Sequence, residues 1–199
     1  MTNTLYVWDL ADTLFFQKWN EELMGAATPL LWMKKQRMDV STLEQYERNF
    51  EKFFLNGTTV DLALMPGYAE VLAQTNDNQA FTTGVIEQVD WRAEYLNPQV
   101  GFDIKKFFTK IVSTFDFVPT NLKTSAVIDA YLEQEAESYE HLVYTDNDLT
   151  NCELFHQIGR KYFASVRVFH FKNDGLGLRP QNWCAEVGCL TDILTALKK

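Results

Sequence analysis

Four stretches of this sequence carry residue types that could do chemistry: Asp9, Asp12 and Thr13; Thr82 and Thr83; Lys123; and Asp146, Asn147 and Asp148. Carboxylates from two separate segments can hold a hard cation such as magnesium through oxygen. Hydroxyls, an ammonium and helix N-terminal amides can hold a phosphate. A carboxylate facing a bound phosphoryl group can attack phosphorus and form an acyl phosphate. Asp9 follows Leu5-Tyr6-Val7-Trp8, and a carboxylate behind such an apolar run is expensive to bury without a partner. That cost favours a functional role for Asp9 over an incidental one.

The elements that must position these groups follow from hydrophobic period and punctuation. Residues 5–10 predict a short buried strand ending at the first acid. Residues 15–56 are helical in period, with Thr28-Pro29 as a helix start, Ser41-Thr42-Leu43-Glu44 as a capping box and Asn56-Gly57 as a stop. Pro66-Gly67-Tyr68 opens another helix. Strands are predicted over residues 79–83, 107–112, 141–144 and 165–171. Helices are predicted over 89–95, 123–135, 149–158 (stopped by Gly159) and 190–197. Strands alternating with helices imply a parallel sheet with right-handed crossovers. Ligands bind such sheets beyond the carboxyl ends of the strands, where the polar residues named above would converge. The expected fold is a Rossmann-like three-layer α/β/α parallel sheet. Its core would comprise residues 1–14 and 61–199, with residues 15–60 inserted after the first strand as a small helical cap.

Asp9-Leu10-Ala11-Asp12-Thr13-Leu14 resembles the first motif of the haloacid dehalogenase (HAD) superfamily, commonly DxDGTL. Phe81-Thr82-Thr83-Gly84 is similar to its second motif, Lys123 sits where the third motif's lysine belongs, and Tyr144 to Asn151 resembles the acidic fourth motif. The connecting phrases Met65 to Leu72 and Gly101 to Thr114 also fit, so the resemblance runs from Leu5 to about Phe171. It implies that Asp9 is the nucleophile and a magnesium ligand, and that the Ala11 carbonyl is a second ligand. Thr82, Thr83 and Lys123 would bind the phosphoryl group, with Lys123 neutralising charge on the intermediate. The cap would close over the substrate and exclude water.

The sequence departs from the family pattern at two positions. The family's phosphatases carry a second Asp two residues after the nucleophile, to protonate the leaving alcohol; here that residue is Ala11. Loss of a general acid or base typically costs ~10²–10⁴ in rate. Asp12, at the motif's glycine position, is the candidate substitute. In the fourth motif the family's metal-binding Asp falls on Asn147. Its neighbour Asp146 is taken as the metal ligand, with Asn147 contributing an amide oxygen. Alanine at the acid position is also found in the phosphonate-cleaving branch, which uses a cap lysine, here Lys52; the dehalogenase branch lacks both the second Asp and magnesium. The function expected is a magnesium-dependent phosphatase acting on a small phosphorylated metabolite through an aspartyl-phosphate. The alternatives are a catalytically impaired HAD-like binding or regulatory protein and the phosphonatase or dehalogenase branch.

Composition excludes other classes. The net charge is −9, and the longest basic stretch, Met33 to Arg37, reads as a solvated helix face, so nucleic acid is not an expected partner. No apolar run approaches the ~20 residues of a membrane span. Three cysteines, Cys152, Cys184 and Cys189, without a secretory leader point to reduced thiols and a cytoplasmic protein.

Overall fold

The computed structural model describes residues 3–19, 29–55 and 60–198. Strand β1 (Thr4–Trp8) lies in the interior of a seven-stranded sheet. On one side it pairs in parallel with β4 (Asn78–Thr82), which pairs with β5 (Lys110–Ser113). On the other it pairs in parallel with β6 (His141–Asp146), followed by β7 (Ser165–Phe171) and β9 (Ala185–Val187). The short edge strand β8 (Arg179–Pro180) is antiparallel to β9. The order β5-β4-β1-β6-β7-β9-β8 puts the carboxyl ends of β1, β4 and β6 side by side, because all three run the same way.

Period-two alternation feeds two cores. Leu5, Val7, Phe81, Leu142, Tyr144 and Val168 face one side, packed by α5 (Ser125–Glu135) and α6 (Leu149–Tyr162). Trp8, Ala80, Val143 and Phe169 face the other, packed by α3 (Tyr68–Gln74), α4 (Glu87–Val100) and α7 (Thr191–Leu197). The result is the expected three-layer α/β/α arrangement. Trp8 is fully buried and satisfies its one donor by a 2.9 Å bond from Nε1 to Asn78 Oδ1. Burying a large apolar side chain contributes about 1.5–3 kcal/mol, an amount an orphaned indole N–H would largely offset.

The inserted segment differs from its predicted form. Residues 15–19 are not helical: β2 (Phe15–Trp19) pairs antiparallel with β3 (Val60–Leu64) in a separate ribbon, from Phe15↔Leu64 to Trp19↔Val60. Phe15 is buried and Phe16 exposed, a strand alternation hidden in the sequence because Phe15, Phe16 and Trp19 also fit a helical stripe. Beyond the ribbon come α1 (Pro29–Lys35) and α2 (Leu43–Leu55). The capping residue of α2 is Thr42, whose Oγ1 accepts from Gln45 N at 3.1 Å, one position later than the predicted box. Thr28, Asn56 and Gly57 lie outside the described residues, as does the side chain of Lys52.

Gly159 does not stop α6, which runs on to Tyr162. It is a packing glycine: a Cβ there would lie 2.9 Å from Leu142 Cδ2 and 3.2 Å from Val166 Cγ2. Strands β3, β8 and β9 were not predicted; β8 and β9 are too short for periodicity to register. Cys152, Cys184 and Cys189 are unpaired. Among the described residues no helix is long and apolar enough to cross a membrane.

Candidate functional site

Asp9 lies one residue beyond β1, and its N–H continues the ladder to the Thr145 carbonyl at 2.9 Å. Its carboxylate therefore emerges between the ends of β4 and β6. Lys123 comes from the residue before Thr124, which caps α5. A lysine at a helix N-terminus gains nothing from the dipole, and this one is also buried. Carboxylates stabilise it there. Lys123 Nζ donates to Asp9 Oδ1 at 2.5 Å, to Asp146 Oδ2 at 2.8 Å and to the Tyr144 hydroxyl at 3.1 Å. Burial opposes the lysine charge, but Asp146 and Asp9 outweigh it and hold Lys123 above the ordinary lysine range. All three ammonium protons have partners.

The strand period explains Tyr144, which the sequence reading did not assign to the site. Tyr144 and Asp146 are two apart on β6 and point the same way, so the hydroxyl donates to Asp146 Oδ2. Asp146 is 1% exposed. Its Oδ2 also accepts from Asn151 Nδ2 at 3.1 Å, and its Oδ1 accepts from Asp148 N at 2.8 Å. With four donors from the protein, three of them on Oδ2, Asp146 is an anchor for Lys123. The expected metal ligand is thus the partner of a lysine in this structure.

Thr13 ties the other side of the site. Its hydroxyl lies 3.0 Å from Asp9 Oδ2 and 3.2 Å from Asn147 Oδ1, and accepts from Asn147 N at 3.0 Å. His170 Nε2 lies 3.1 Å from the Asn147 carbonyl; a carbonyl can only accept, so that ring nitrogen carries the proton and pins the loop. Both fourth-motif side chains thus meet Asp9 through an intermediary, Asp146 through Lys123 and Asn147 through Thr13. Asp148 caps α6, its carboxylate accepting from Thr150 N and Asn151 N.

The remaining sequence candidates separate. Thr82 is buried at the end of β4; its Oγ1 accepts from Gly84 N at 3.2 Å, and among the described residues no acceptor takes its own proton. The Thr83 carbonyl accepts from Thr114 Oγ1. Ala11 is exposed. Asp12 is exposed with φ 57°, a left-handed conformation that Asp tolerates. Burial raises its carboxyl, while a bond from the Gln17 backbone N–H and the charge of Arg92 favour the ionised form. That bond turns Asp12 toward β2, so the expected substitute for the missing acid is engaged elsewhere.

Burial pushes the Asp9 carboxyl up to about 6; the Asp146 charge adds to it, and Lys123 and Thr13 act against it. Two carboxylates share one ammonium, leaving one excess negative charge at pH 7.

These donors do not make a magnesium site. A divalent cation among them would compete with the Lys123 ammonium, which stands 2.5 Å from Asp9 and 2.8 Å from Asp146. The Ala11 carbonyl and the Asn147 amide oxygen add no charge. Among the described residues no group of three His, Cys, Asp or Glu side chains is placed to hold a metal ion.

No protein-family model matches the chain, and no curated protein matches it. Among solved structures it is similar to a HAD family enzyme from Bacteroides thetaiotaomicron, crystallised as a magnesium complex. The TM-score is 0.49 at 11% identity, covering 83% of this chain and 92% of that chain. A likeness at that level transfers no residue roles, and the α/β assignment rests on the strand order itself.

Proposed function

We propose that the chain is a HAD-like protein whose strand-end site binds the phosphoryl group of a small phosphorylated molecule, and that it acts by binding rather than by rapid hydrolysis. The observation that supports this is the Lys123 triad. A buried ammonium stands at the strand ends with its protons on Asp9, Asp146 and Tyr144, while Ala11 and Asn147 supply neither an acid nor a charged cation ligand. To receive an anion, Lys123 exchanges its Asp9 partner for a phosphoryl oxygen. Asp9 takes up a proton in that exchange and becomes a hydrogen-bond donor to the anion, a step its pKa of about 6 makes accessible near neutrality. Thr82 donates its free hydroxyl proton to the same group. The ammonium then pairs with Asp146 and the ligand, and the proton taken up by Asp9 keeps its carboxyl from adding a further negative charge beside the bound anion.

A second reading is favoured by the retained Asp9. Ionised, it can attack phosphorus, forming an Asp9–phosphorus bond as the bond to the leaving oxygen breaks; water then cleaves the acyl phosphate. With alanine at position 11 the leaving group departs unprotonated, so only good leaving groups such as aryloxides would react.

The two readings predict opposite pH dependence. Binding that needs protonated Asp9 strengthens as pH falls through about 6. Turnover that needs ionised Asp9 rises as pH increases through the same point. Calorimetry with inorganic sulfate, whose charge is constant across that window, tests the first. Hydrolysis of an aryl phosphate by the wild type and by Asp9→Asn tests the second. Sulfate affinity that is absent, or flat between pH 5 and 8, would sink the binding reading; turnover lost in Asp9→Asn would establish the hydrolytic one.

A further inference from the structure

We infer that Glu47 is a latch that docks helix α2 of the inserted segment onto the two loops framing Asp9, and so positions the segment that carries Lys123. Glu47 is 8% exposed, and both its oxygens are taken by side chains of the core. Oε1 accepts from Asn121 Nδ2 at 3.1 Å, and Oε2 accepts from Gln88 Nε2 at 3.0 Å. Gln88 Nε2 also donates to the Glu47 backbone carbonyl at 3.1 Å. Asn121 stands two residues before Lys123. Gln88 lies across Gly84, two residues after Thr82: a Cβ on Gly84 would fall 1.5 Å from Gln88 Oε1. Gly84 in turn is held by N–H donation to Thr82 Oγ1 and by Ser113 Oγ donating to its carbonyl at 2.7 Å. One carboxylate of the insert therefore touches, through one amide each, the loop that presents Thr82 and the loop that presents Lys123.

The neighbouring contacts fix the same seam. Arg48, adjacent to Glu47 on α2, pairs with Glu87 on α4 and with Glu44 one turn back. One turn further along α4, Arg92 donates to Gln17 Oε1 of β2 at 3.1 Å. Helix α4 thus grips the insert at its helix and at its entry strand. An apolar helix seam can slide by a turn at low cost, whereas a buried carboxylate satisfied by two amides has one register. Opening returns the carboxylate to water, which solvates it, so the closed state is held without being locked. The groups facing Glu47 from the packed elements are Gln88, Arg92 and Asn121; burial raises its carboxyl, and these three favour the ionised form.

The latch rests on geometry alone, whereas what the closed site holds rests on the binding reading. Hydrogen exchange without ligand therefore tests it independently. Amide exchange is followed across the chain in the wild type, in Glu47→Ala, in Gly84→Ala (which displaces Gln88 from the core side) and in Gln45→Ala, a change on the same helix outside these contacts. Expected is at least roughly tenfold faster exchange over Leu43–Leu55 in Glu47→Ala and Gly84→Ala, with β1 and β6 amides unchanged and Gln45→Ala like the wild type. Wild-type rates over Leu43–Leu55 in both variants would overturn the latch. So would uniform acceleration across the chain, which would show a general loss of stability.

Discussion

Lys123 and Asp9 are 114 positions apart in sequence and meet at 2.5 Å, nitrogen to oxygen, at the ends of a parallel sheet. Lys123 comes from the loop between β5 and α5, two strands from β1, and the start of that loop is tied to the end of β4 by Thr114 Oγ1 donating to the Thr83 carbonyl. The ammonium is buried and serves two carboxylates, which makes it the electrostatic keystone of this edge of the sheet.

Lys123→Met removes the cation and leaves Asp9 and Asp146 buried against each other. Breaking a buried charged network by removing one partner costs about 3–5 kcal/mol. Urea unfolding at pH 7 should show a loss of that size, and a change under about 1 kcal/mol would contradict the structural role assigned to the lysine.

Asp9 makes stability depend on pH in the direction opposite to an ordinary salt-bridged carboxylate. Its folded pKa, about 6, lies above the unfolded value of about 3.9. The folded state therefore binds the extra proton, so this contribution is fully present below about pH 4 and is lost as pH rises through about 6. The shift corresponds to about 2–3 kcal/mol. Unfolding measured at pH 4.5 and pH 7.5 should show a smaller pH-dependent difference in Asp9→Asn than in the wild type, and an unchanged difference would assign the slope to other groups.

Magnesium should not stabilise the wild type, because Lys123 already pairs with Asp9 and Asp146, and Asn147 brings no charge. The double substitution Ala11→Asp and Asn147→Asp adds two carboxylates beside Asp9. Thermal unfolding should then respond to millimolar magnesium with a saturable rise in Tm, through preferential binding to the folded state. A saturable rise in the wild type would refute the reading of the donor set.

Tyr144→Phe deletes one hydroxyl that donates to Asp146 and accepts from Lys123. Asp146 Oδ2 keeps Lys123 and Asn151 as donors, so the loss should fall at the lower end of the range for a buried hydrogen bond, about 1 kcal/mol. A loss above about 3 kcal/mol in urea unfolding would mean that the hydroxyl organises more of the site than these contacts account for.

Gly159→Ala tests packing against propensity. Alanine gains about 1 kcal/mol inside a helix, but its methyl would stand 2.9 Å from Leu142 Cδ2 beneath α6. Overpacking of this kind costs about 1–3 kcal/mol, and Leu142 is fully buried. The net result should be destabilisation, read from the urea midpoint; a more stable variant would show that Leu142 moves aside freely.

The layer architecture was legible in local pattern alone. Apolar runs ending on polar residues marked β1, β4 and β6, and local turn chemistry set the helices between them, because these signals depend only on neighbours along the chain. The sequence also showed that position 11 carries no acid. Tertiary structure alone decided which carboxylate faces which partner. Asp146 and Asn147 are adjacent, and no local pattern says which turns toward Lys123 and which toward Thr13. That choice is set by strand register, by Tyr144 on the same face of β6 and by Asn151 one helical turn beyond. The ribbon of β2 and β3 was equally hidden, since its two strands find each other across more than forty residues, and a pairing of that separation leaves no periodic trace in either half.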